Sequence, residues 1–312
     1  MTNTDSAIAA PVLHNRFFHA FDTRCRIYAA TDDVSLFDEI TSLCARYDRL
    51  FSHTRSDSEL VRLNRACGMP VAVHPELAGL IAQSLDYCAE SDGLFDVTAG
   101  SLERLWNFHT ATLPTSEQVN EALRHVGFGM VHVNGNVACI DDPLASVVLG
   151  GVAKGYIADR IADLMRKRGV TSGVIDLGGN IVLVGSRPDG KPWRIEIVDP
   201  FDTTRAIALL DTRDESVVTS GTYERFFEID DERYHHIIDP RTGRPAKTDL
   251  VSATVVTPKS VDGDGYTTGL IIMGSARAFD FVEHKPNLEA IFVLTDGSLR
   301  VTSGLQARVY PR

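Results

Sequence analysis

The sequence predicts an α+β protein in which mixed antiparallel sheets pack against helices. Helical and strand patterns are interleaved irregularly, and not in the regular alternation that builds a parallel sheet. Several strand patterns are separated by short turn sequences, which is typical of hairpins. The chain has 312 residues, of which 44% are hydrophobic and 23% charged, as in globular proteins. A chain of this length buries a substantial core.

The N-terminal part of the chain is predicted to contain a tail, a strand and two helices. Residues 1–15 have the polar pattern of a flexible tail, and Cys25–Ala29 that of a strand. Apolar residues recur at helical spacing over Val34–Phe51 and over Pro75–Glu90. Gly93 follows the second of these patterns and is expected to stop the helix.

A third helix and a pair of strands are predicted next. Thr115 and Gln118 stand three residues apart, as in a capping box, so that we expect a helix to begin there and to end at Gly127. Between residues 129 and 149, short alternating runs predict strands on either side of Gly135-Asn136.

The middle of the chain has the clearest helical pattern. Val152–Arg168 carries apolar residues on one side and basic residues in the last turn, and Gly169 is a suitable residue to follow the helix. Strands are predicted on both sides of Gly178-Gly179 and, further on, at these segments: Trp193–Val198, Ala206–Leu210, Arg225–Ile229, Arg233–Ile238, Val251–Thr257 and Leu288–Leu294. Two helices are predicted between the last two strands, around Asp264–Met273 and Ala276–His284.

Charge and cysteine content exclude several classes of protein. The net charge of −11 and the pI of about 5.3 disfavour binding to nucleic acid or to an anionic membrane surface. No segment approaches 18 apolar residues, so no membrane span is expected. Five cysteines without metal-type spacing predict free thiols in a reducing compartment. Residues 1–13 lack the pattern of a signal peptide, and we therefore expect a cytoplasmic protein.

Two glycine clusters are candidates for binding a ligand. Gly150-Gly151 leads into a predicted helix that carries Lys154 in its first turn. The N–H groups and the dipole at such a helix start favour an anion, although a plain strand-to-helix turn has the same pattern. Gly178-Gly179 lies between two predicted strands. It would either let a ligand approach the backbone closely or simply form a tight bend.

Two further clusters carry side chains suited to chemistry. In a strand, His235 and His236 would point to opposite faces, and no further ligands at zinc spacing accompany them. Asp264 and Thr268 are four residues apart and would share one face of a helix. Their oxygens suit Mg²⁺, but a capped helix start is an equally good interpretation. The pattern of a calcium-binding EF-hand loop is absent.

Taken together, the order of these clusters resembles the flavin transferase family, the ApbE-like FAD:protein FMN transferases. The resemblance extends from about Phe18 to the C-terminus. It rests on the following blocks: Ser58-Glu59-Leu60, Ser91–Thr98, Leu149–Tyr156, Leu177-Gly178-Gly179, Ser220–Arg225, His236–Gly243 and Asp264–Gly274.

The resemblance implies a T-fold-like structure over residues 16–312, with an FAD cleft between two lobes. Members of the family use Mg²⁺ to transfer FMN from FAD to a Ser or Thr hydroxyl of an acceptor flavoprotein, with release of AMP. The resemblance also implies roles for individual residues. His236 would be the general base, and the metal would be bound by Gly151, through its carbonyl, Asp264 and Thr268. The FAD-binding residues would be Thr54, Leu94, Phe95, Asp96, Lys154, Gly178 and Gly179.

Three positions depart from the family pattern. Phe21-Asp22-Thr23 stands where the family often has Met-Gly-Thr, and Val148 and Asn180 each stand where it usually has Asp. We expect these changes to alter FAD affinity or the preferred acceptor.

Two other functions remain open from the sequence. With water as the acceptor, the same residues would make an Mg²⁺-dependent FAD pyrophosphatase that yields FMN and AMP. Without catalysis, they would make a flavin-binding or flavin-delivery protein. AMP release from FAD without any acceptor distinguishes the pyrophosphatase, and FAD that stays intact with acceptor and Mg²⁺ distinguishes the binding protein.

Overall fold

The computed structural model describes residues 12–108 and 110–312, and its secondary structure is mixed. The helices are α1 (Ser35–Phe51), α2 (Glu59–Asn64), α3 (Pro75–Glu90), α4 (Gly100–Glu103), α5 (Ser116–Leu123), α6 (Ala153–Lys167), α7 (Ser260–Met273) and α8 (Ser275–His284). The strands of the N-terminal half are β1 (Leu13–Ala20), β2 (Thr23–Ala30), β3 (Val71–Ala72), β4 (Val131–Asn134), β5 (Val137–Ile140), β6 (Ser172–Leu177) and β7 (Asn180–Gly185).

The remaining strands are β8 (Trp193–Asp199), β9 (Asp202–Thr212), β10 (Ser216–Gly221), β11 (Phe226–Ile229), β12 (Glu232–His235), β13 (Ile238–Asp239), β14 (Arg244–Pro245), β15 (Leu250–Thr257), β16 (Glu289–Leu294), β17 (Leu299–Val301) and β18 (Val309–Pro311). These elements confirm the predicted α+β class with antiparallel sheets.

An eight-stranded antiparallel sheet with the order β1-β2-β6-β7-β10-β15-β16-β17 organises the fold. Every residue of β15, near the middle of this order, is buried, as expected for a strand covered on both faces. Helices α6 and α7 pack against its central strands, and α8 packs against β16. A second sheet, β18-β9-β8, shares a smaller apolar core with residues of β7, β10, β15 and β16.

The structure confirms most predicted elements and corrects some boundaries. Thr115 and Gln118 form the reciprocal capping box that the sequence predicted, but α5 ends at Leu123 and not at Gly127. Residues 13–15, expected in a flexible tail, belong to β1, while residues 1–11 lie outside the described chain. The elements that were not predicted are the short helices α2 and α4 and the strands β1, β3, β10, β14, β17 and β18.

Helices α6 and α7 approach each other unusually closely at Gly155. A Cβ atom at this position would lie 2.3 Å from the carbonyl oxygen of Ser260, the first residue of α7. Asp159, one turn further along α6, accepts hydrogen bonds from the backbone N–H groups of Ser260 and Val261 at 2.8 and 3.1 Å. A carboxylate from α6 therefore caps α7, which begins four residues earlier than predicted.

This close approach predicts that Gly155→Ala destabilises the protein. The added methyl group must displace the backbone of α7, and we expect the free energy of unfolding to fall by about 1–3 kcal/mol. Chemical denaturation measures the change.

Gly79→Ala is the matched control, because Gly79 lies on the exposed side of α3 with nothing within 4 Å of an added Cβ. It should raise the free energy of unfolding by about 0.5–1 kcal/mol. Equal effects of the two substitutions would contradict the proposed steric constraint.

Candidate active site

A cleft of about 670 Å³ is lined by segments drawn from much of the chain, from His19 before the first hairpin turn to Thr268 in α7. Its walls come from the end of α1 and the loop after it, residues 94–108, the start of α6, strand β10, and residues 236–240. This volume lies within the range of pockets that hold small molecules and cofactors.

The cleft brings together nearly all of the site residues predicted from the sequence. The predicted residues that line it are Thr54, Leu94, Phe95, Asp96, Gly151, Lys154, Gly178, His236, Asp264 and Thr268. Gly179 is the exception: it is next to the cleft in sequence but does not line it. The residues that the sequence singled out therefore lie in one cleft, and their roles stay predictions.

Asp264 is the most buried acid in the cleft, with only 5% of its surface exposed. Its Oδ2 accepts a hydrogen bond from the backbone N–H of Gly155 at 2.6 Å, and its Oδ1 accepts one from Nδ2 of Asn180 at 3.0 Å. Asn180 is held in turn by Ser260, whose hydroxyl donates to its Oδ1 at 2.7 Å. Burial raises the pKa of Asp264, while Lys154 and these two donors oppose that rise.

Asp264, Thr268 and Gly151 present oxygen donors to the same cleft. Thr268 lies one turn after Asp264 on α7, as the four-residue spacing predicted, and both line the cleft. Among the described residues, no backbone N–H donates to the carbonyl of Gly151. In the same part of the chain, no cluster of three or more His, Cys, Asp or Glu side chains could hold a metal. Any metal here would therefore rely on a single carboxylate with neutral oxygen donors.

Lys154 lies in the first turn of α6, where the sequence predicted an anion site. Within residues 12–108 and 110–312 no carboxylate lies within 4.0 Å of its ammonium group. Its charge opposes the rise in the pKa that burial causes at both Asp264 and Glu224, two acids that also line the cleft. The positive end of α6 and this unpaired ammonium group favour an anionic ligand at this wall.

His236 follows β12, is half-buried and lines the cleft. Its Nδ1 lies 3.3 Å from the carbonyl oxygen of Arg225, and its backbone N–H donates to the same oxygen at 3.0 Å. Because a carbonyl only accepts, Nδ1 carries the proton in the neutral ring, which leaves Nε2 as an acceptor. His235 is buried and bonds to the carbonyl of Ala246, so that the two histidines face different surroundings. The strand predicted over Arg233–Ile238 is wrong in extent, because β12 ends at His235 and His236 lies outside it.

Other predicted residues shape the cleft through the backbone. Asp96 accepts hydrogen bonds from Thr98 and from the N–H of Phe128 at 2.9 Å, so that it holds its own loop in place. A Cβ atom on Gly151 would lie 2.9 Å from the Phe95 ring, which packs over this glycine. Phe95 thus packs against Gly151, and Asp96 holds the loop that follows Phe95.

Sequence reasoning missed an aromatic cluster beside His236. Trp106 stacks on Tyr234, which stacks on Phe227, and Phe108 contacts both Phe227 and His236 edge-on or tilted. These residues come from two distant segments, and no spacing in the sequence links them. Arg225 belongs to one of the blocks that carry the family resemblance, but no role was predicted for it, and the structure places it in the cleft.

The three departures from the family pattern all lie in the cleft. Phe21 and Asp22 form the tight turn between β1 and β2, each with a φ of 55°, a conformation that is strained for a bulky residue. Val148 is nearly buried and adds no polar group. Asn180 provides the amide that donates to Asp264, whereas a carboxylate there would have no proton to donate at neutral pH.

Comparison with known proteins assigns this fold and cleft to a class, the flavin transferases of the ApbE type. The sequence matches the model of the ApbE family over residues 21–292. This chain therefore belongs to the ApbE family.

Relatives resemble the chain over most of its length. It is 34% identical to the FAD:protein FMN transferase of Treponema pallidum (strain Nichols), with 92% of this chain and 85% of the relative covered. It is also 34% identical to the protein of that name from Vibrio cholerae serotype O1, with 86% and 82% covered.

Solved structures agree with this assignment. The crystal structure of the ApbE protein of Thermotoga maritima superposes with a TM-score of 0.88 at 27% identity, covering 96% of this chain and 100% of the other. The flavin transferase ApbE from Vibrio cholerae superposes with a TM-score of 0.85 at 29% identity, covering 95% of this chain and 100% of the other.

Within the described residues, no helix has the length and apolar character needed to cross a membrane.

The surroundings of His236 predict that it stays neutral under mildly acidic conditions. Burial, the Arg225 guanidinium and the charges of His235 and Lys154 lower the pKa of His236 from 6.5 to about 4, against the effect of the Arg225 carbonyl. An NMR titration of the imidazole Cε1 signal measures the midpoint, and His236→Gln identifies the signal. A midpoint at or above 6.5 would contradict this geometry.

Proposed function

We propose that this protein is an Mg²⁺-dependent FAD:protein FMN transferase that attaches FMN to a Ser or Thr hydroxyl of an acceptor flavoprotein and releases AMP. One observation carries the proposal. A single cleft holds an unpaired lysine at a helix start, a buried carboxylate with further oxygen donors, and a histidine whose Nδ1 faces a backbone carbonyl. Membership of the ApbE family, whose relatives bear this name, supports the same activity.

The residues around Asp264 fit a magnesium ion. Asp264 is a buried carboxylate with no Lys, Arg or His within 4.0 Å among the described residues, and Thr268 and Gly151 add a hydroxyl and a carbonyl oxygen. Mg²⁺ prefers such oxygen ligands and commonly completes its shell with water and substrate phosphate oxygens. When bound, the metal would withdraw charge from the pyrophosphate and so ease attack at phosphorus.

Lys154 and the start of α6 would bind the pyrophosphate of FAD. The helix dipole and the ammonium group both favour the negative charge that the acidic chain as a whole repels. Gly178, with a φ of 68°, allows the backbone to turn sharply at the neighbouring wall. The aromatic side chains of Phe21, Phe51 and Phe108 offer apolar surface for the ring systems of the substrate.

His236 would act as the general base. Nε2 takes the proton of the acceptor hydroxyl while that oxygen attacks the phosphorus on the FMN side, and AMP departs with the electrons of the broken P–O bond. The hydrogen bond from Nδ1 to the Arg225 carbonyl fixes the required tautomer. The lowered pKa keeps the base unprotonated near neutral pH.

The acceptor is a flavoprotein that exposes a Ser or Thr to the side of the cleft where His236 lies. The five free cysteines support a reducing compartment, and the cytoplasm remains our prediction for it.

Intact mass spectrometry tests the proposal directly. A candidate acceptor flavoprotein is incubated with the protein, FAD and Mg²⁺, and a gain in acceptor mass of one FMN is expected.

Pyrophosphatase activity is the second candidate function, because His236 is half-exposed and water can also reach Nε2. AMP formed rapidly without acceptor would favour it, and FAD left intact in both reactions would contradict both enzymes.

Replacing the proposed base should abolish transfer without preventing binding. His236→Ala is expected to slow FMN transfer by about 10²–10⁴-fold, because the hydroxyl loses its proton acceptor. FAD affinity, measured by flavin fluorescence, should change little. His132→Ala is the control, since His132 is exposed on β4 and does not line the cleft. Transfer by His236→Ala at the wild-type rate would refute the assignment.

Replacing the proposed metal ligand should change the magnesium requirement. Asp264→Asn keeps the shape of the side chain but removes its charge, so the Mg²⁺ concentration for half-maximal activity should rise at least about tenfold. A calorimetric Mg²⁺ titration provides a second measurement. Asp280→Asn, which changes an exposed acid on α8, should leave both unchanged. An unaltered titration in Asp264→Asn would exclude this metal site.

A further inference from the structure

Arg225 is a cation in the cleft with no assigned role. Three Lys or Arg side chains line the cleft within the described residues: Arg55, Lys154 and Arg225. Arg55 forms ion pairs with Asp48 at 3.1 Å and Asp57 at 2.8 Å. In residues 12–108 and 110–312, the guanidinium of Arg225 has no carboxylate within 4.0 Å and no hydrogen bond. Its donors thus remain available to a ligand.

The backbone of Arg225 is fixed beside the proposed base. Its carbonyl accepts both the N–H and the Nδ1–H of His236. The turn before it is anchored by Thr222, whose N–H donates to the carbonyl of Val251 at 2.9 Å, and by the Tyr223 ring, which packs against Gly221. A side chain that starts from such a rigid turn has a restricted range of positions in the cleft.

Arg225 and Lys154 shift the pKa values of the same side chains in the cleft. Both cations lower the pKa of His236 and oppose the rise in the pKa of Glu224. Arg225 acts in the same way on Glu103, which also lines the cleft. Two cations and the proposed base therefore line the same cleft, although the chain carries a net charge of −11.

We propose that Arg225 is a catalytic residue that binds the non-bridging oxygens of the FMN-side phosphate and stabilises the charge they gain during transfer. This inference rests on the proposed transferase function. The acceptor oxygen forms its bond to phosphorus, the bond to AMP breaks, and the hydroxyl proton moves to His236. Arg225 stays protonated throughout and contributes only charge and hydrogen bonds.

The planar guanidinium suits this role better than an ammonium group would. It can donate two parallel hydrogen bonds to two phosphate oxygens, which fixes the phosphate as well as neutralising it. Lys154 lies at the start of α6, and Arg225 lies on the side of His236. The phosphate under attack would then be held between the pyrophosphate-binding wall and the base.

Three variants test the role of Arg225 in a single set of measurements. Arg225→Ala is expected to lower kcat for FMN transfer by about 10²–10³-fold, with a much smaller change in FAD affinity. Arg225→Lys should recover only part of the loss, because it cannot donate in parallel. Arg104→Ala removes an exposed arginine that does not line the cleft, and should retain wild-type kcat.

Chemical rescue separates catalysis from structure. Millimolar ethylguanidine should restore part of the activity of Arg225→Ala and leave Arg104→Ala unchanged, since only the first lacks a guanidinium in the cleft. The pKa of His236 in Arg225→Ala should also rise towards 6.5, because a neighbouring positive charge is gone.

The outcomes distinguish this inference from the function on which it rests. Wild-type protein that transfers no FMN would refute the transferase proposal. Active wild-type protein with an unchanged kcat in Arg225→Ala, or a loss of activity that ethylguanidine does not relieve, would refute the role of Arg225. Circular dichroism of each variant verifies folding, and Arg225→Gln replaces Arg225→Ala if the latter does not fold.

Discussion

The contact between α6 and α7 at Gly155 is the constraint on which the cleft depends. Because Gly155 has no side chain, its backbone N–H reaches Oδ2 of Asp264 at 2.6 Å, and Asp159 reaches the first N–H groups of α7. Asn180 of β7 then fixes the other oxygen of Asp264. The start of α6 and strand β7 thus fix the Asp264 carboxylate, while Asp159 caps the helix that carries it.

Positive charge in the cleft is assembled locally, against the overall charge of the chain. With a net charge of −11, the protein cannot attract a dianionic pyrophosphate by its general field. Lys154 and Arg225 both line the cleft, and neither is neutralised by an acid within 4.0 Å among the described residues. Asp264, in the same cleft, is the proposed ligand for a further cation, Mg²⁺. The surface arginines, by contrast, are commonly paired with carboxylates, as Arg168 is with Asp33.

Much of the fold and of the candidate site was predictable from the sequence, for local reasons. The bounds of α3 and the capping box of α5 follow from apolar spacing and from hydrogen bonds between residues three apart. Strand β10 was missed because Thr219 and Ser220 line the cleft, which breaks the apolar alternation of a strand. The strand β1 was missed because its alternation lacks fully buried residues.

By itself, the sequence determined the α+β class, the ApbE resemblance, and the pairing of Asp264 with Thr268 across one helical turn. These depend on periodicity and on the order of short motifs. Only the tertiary structure decided that Asn180 orients Asp264, that Asp96 braces its own loop, and that Arg225 holds His236. Such contacts join segments as far as 84 residues apart, as Asn180 and Asp264 are, and their geometry is fixed by packing that no local pattern encodes.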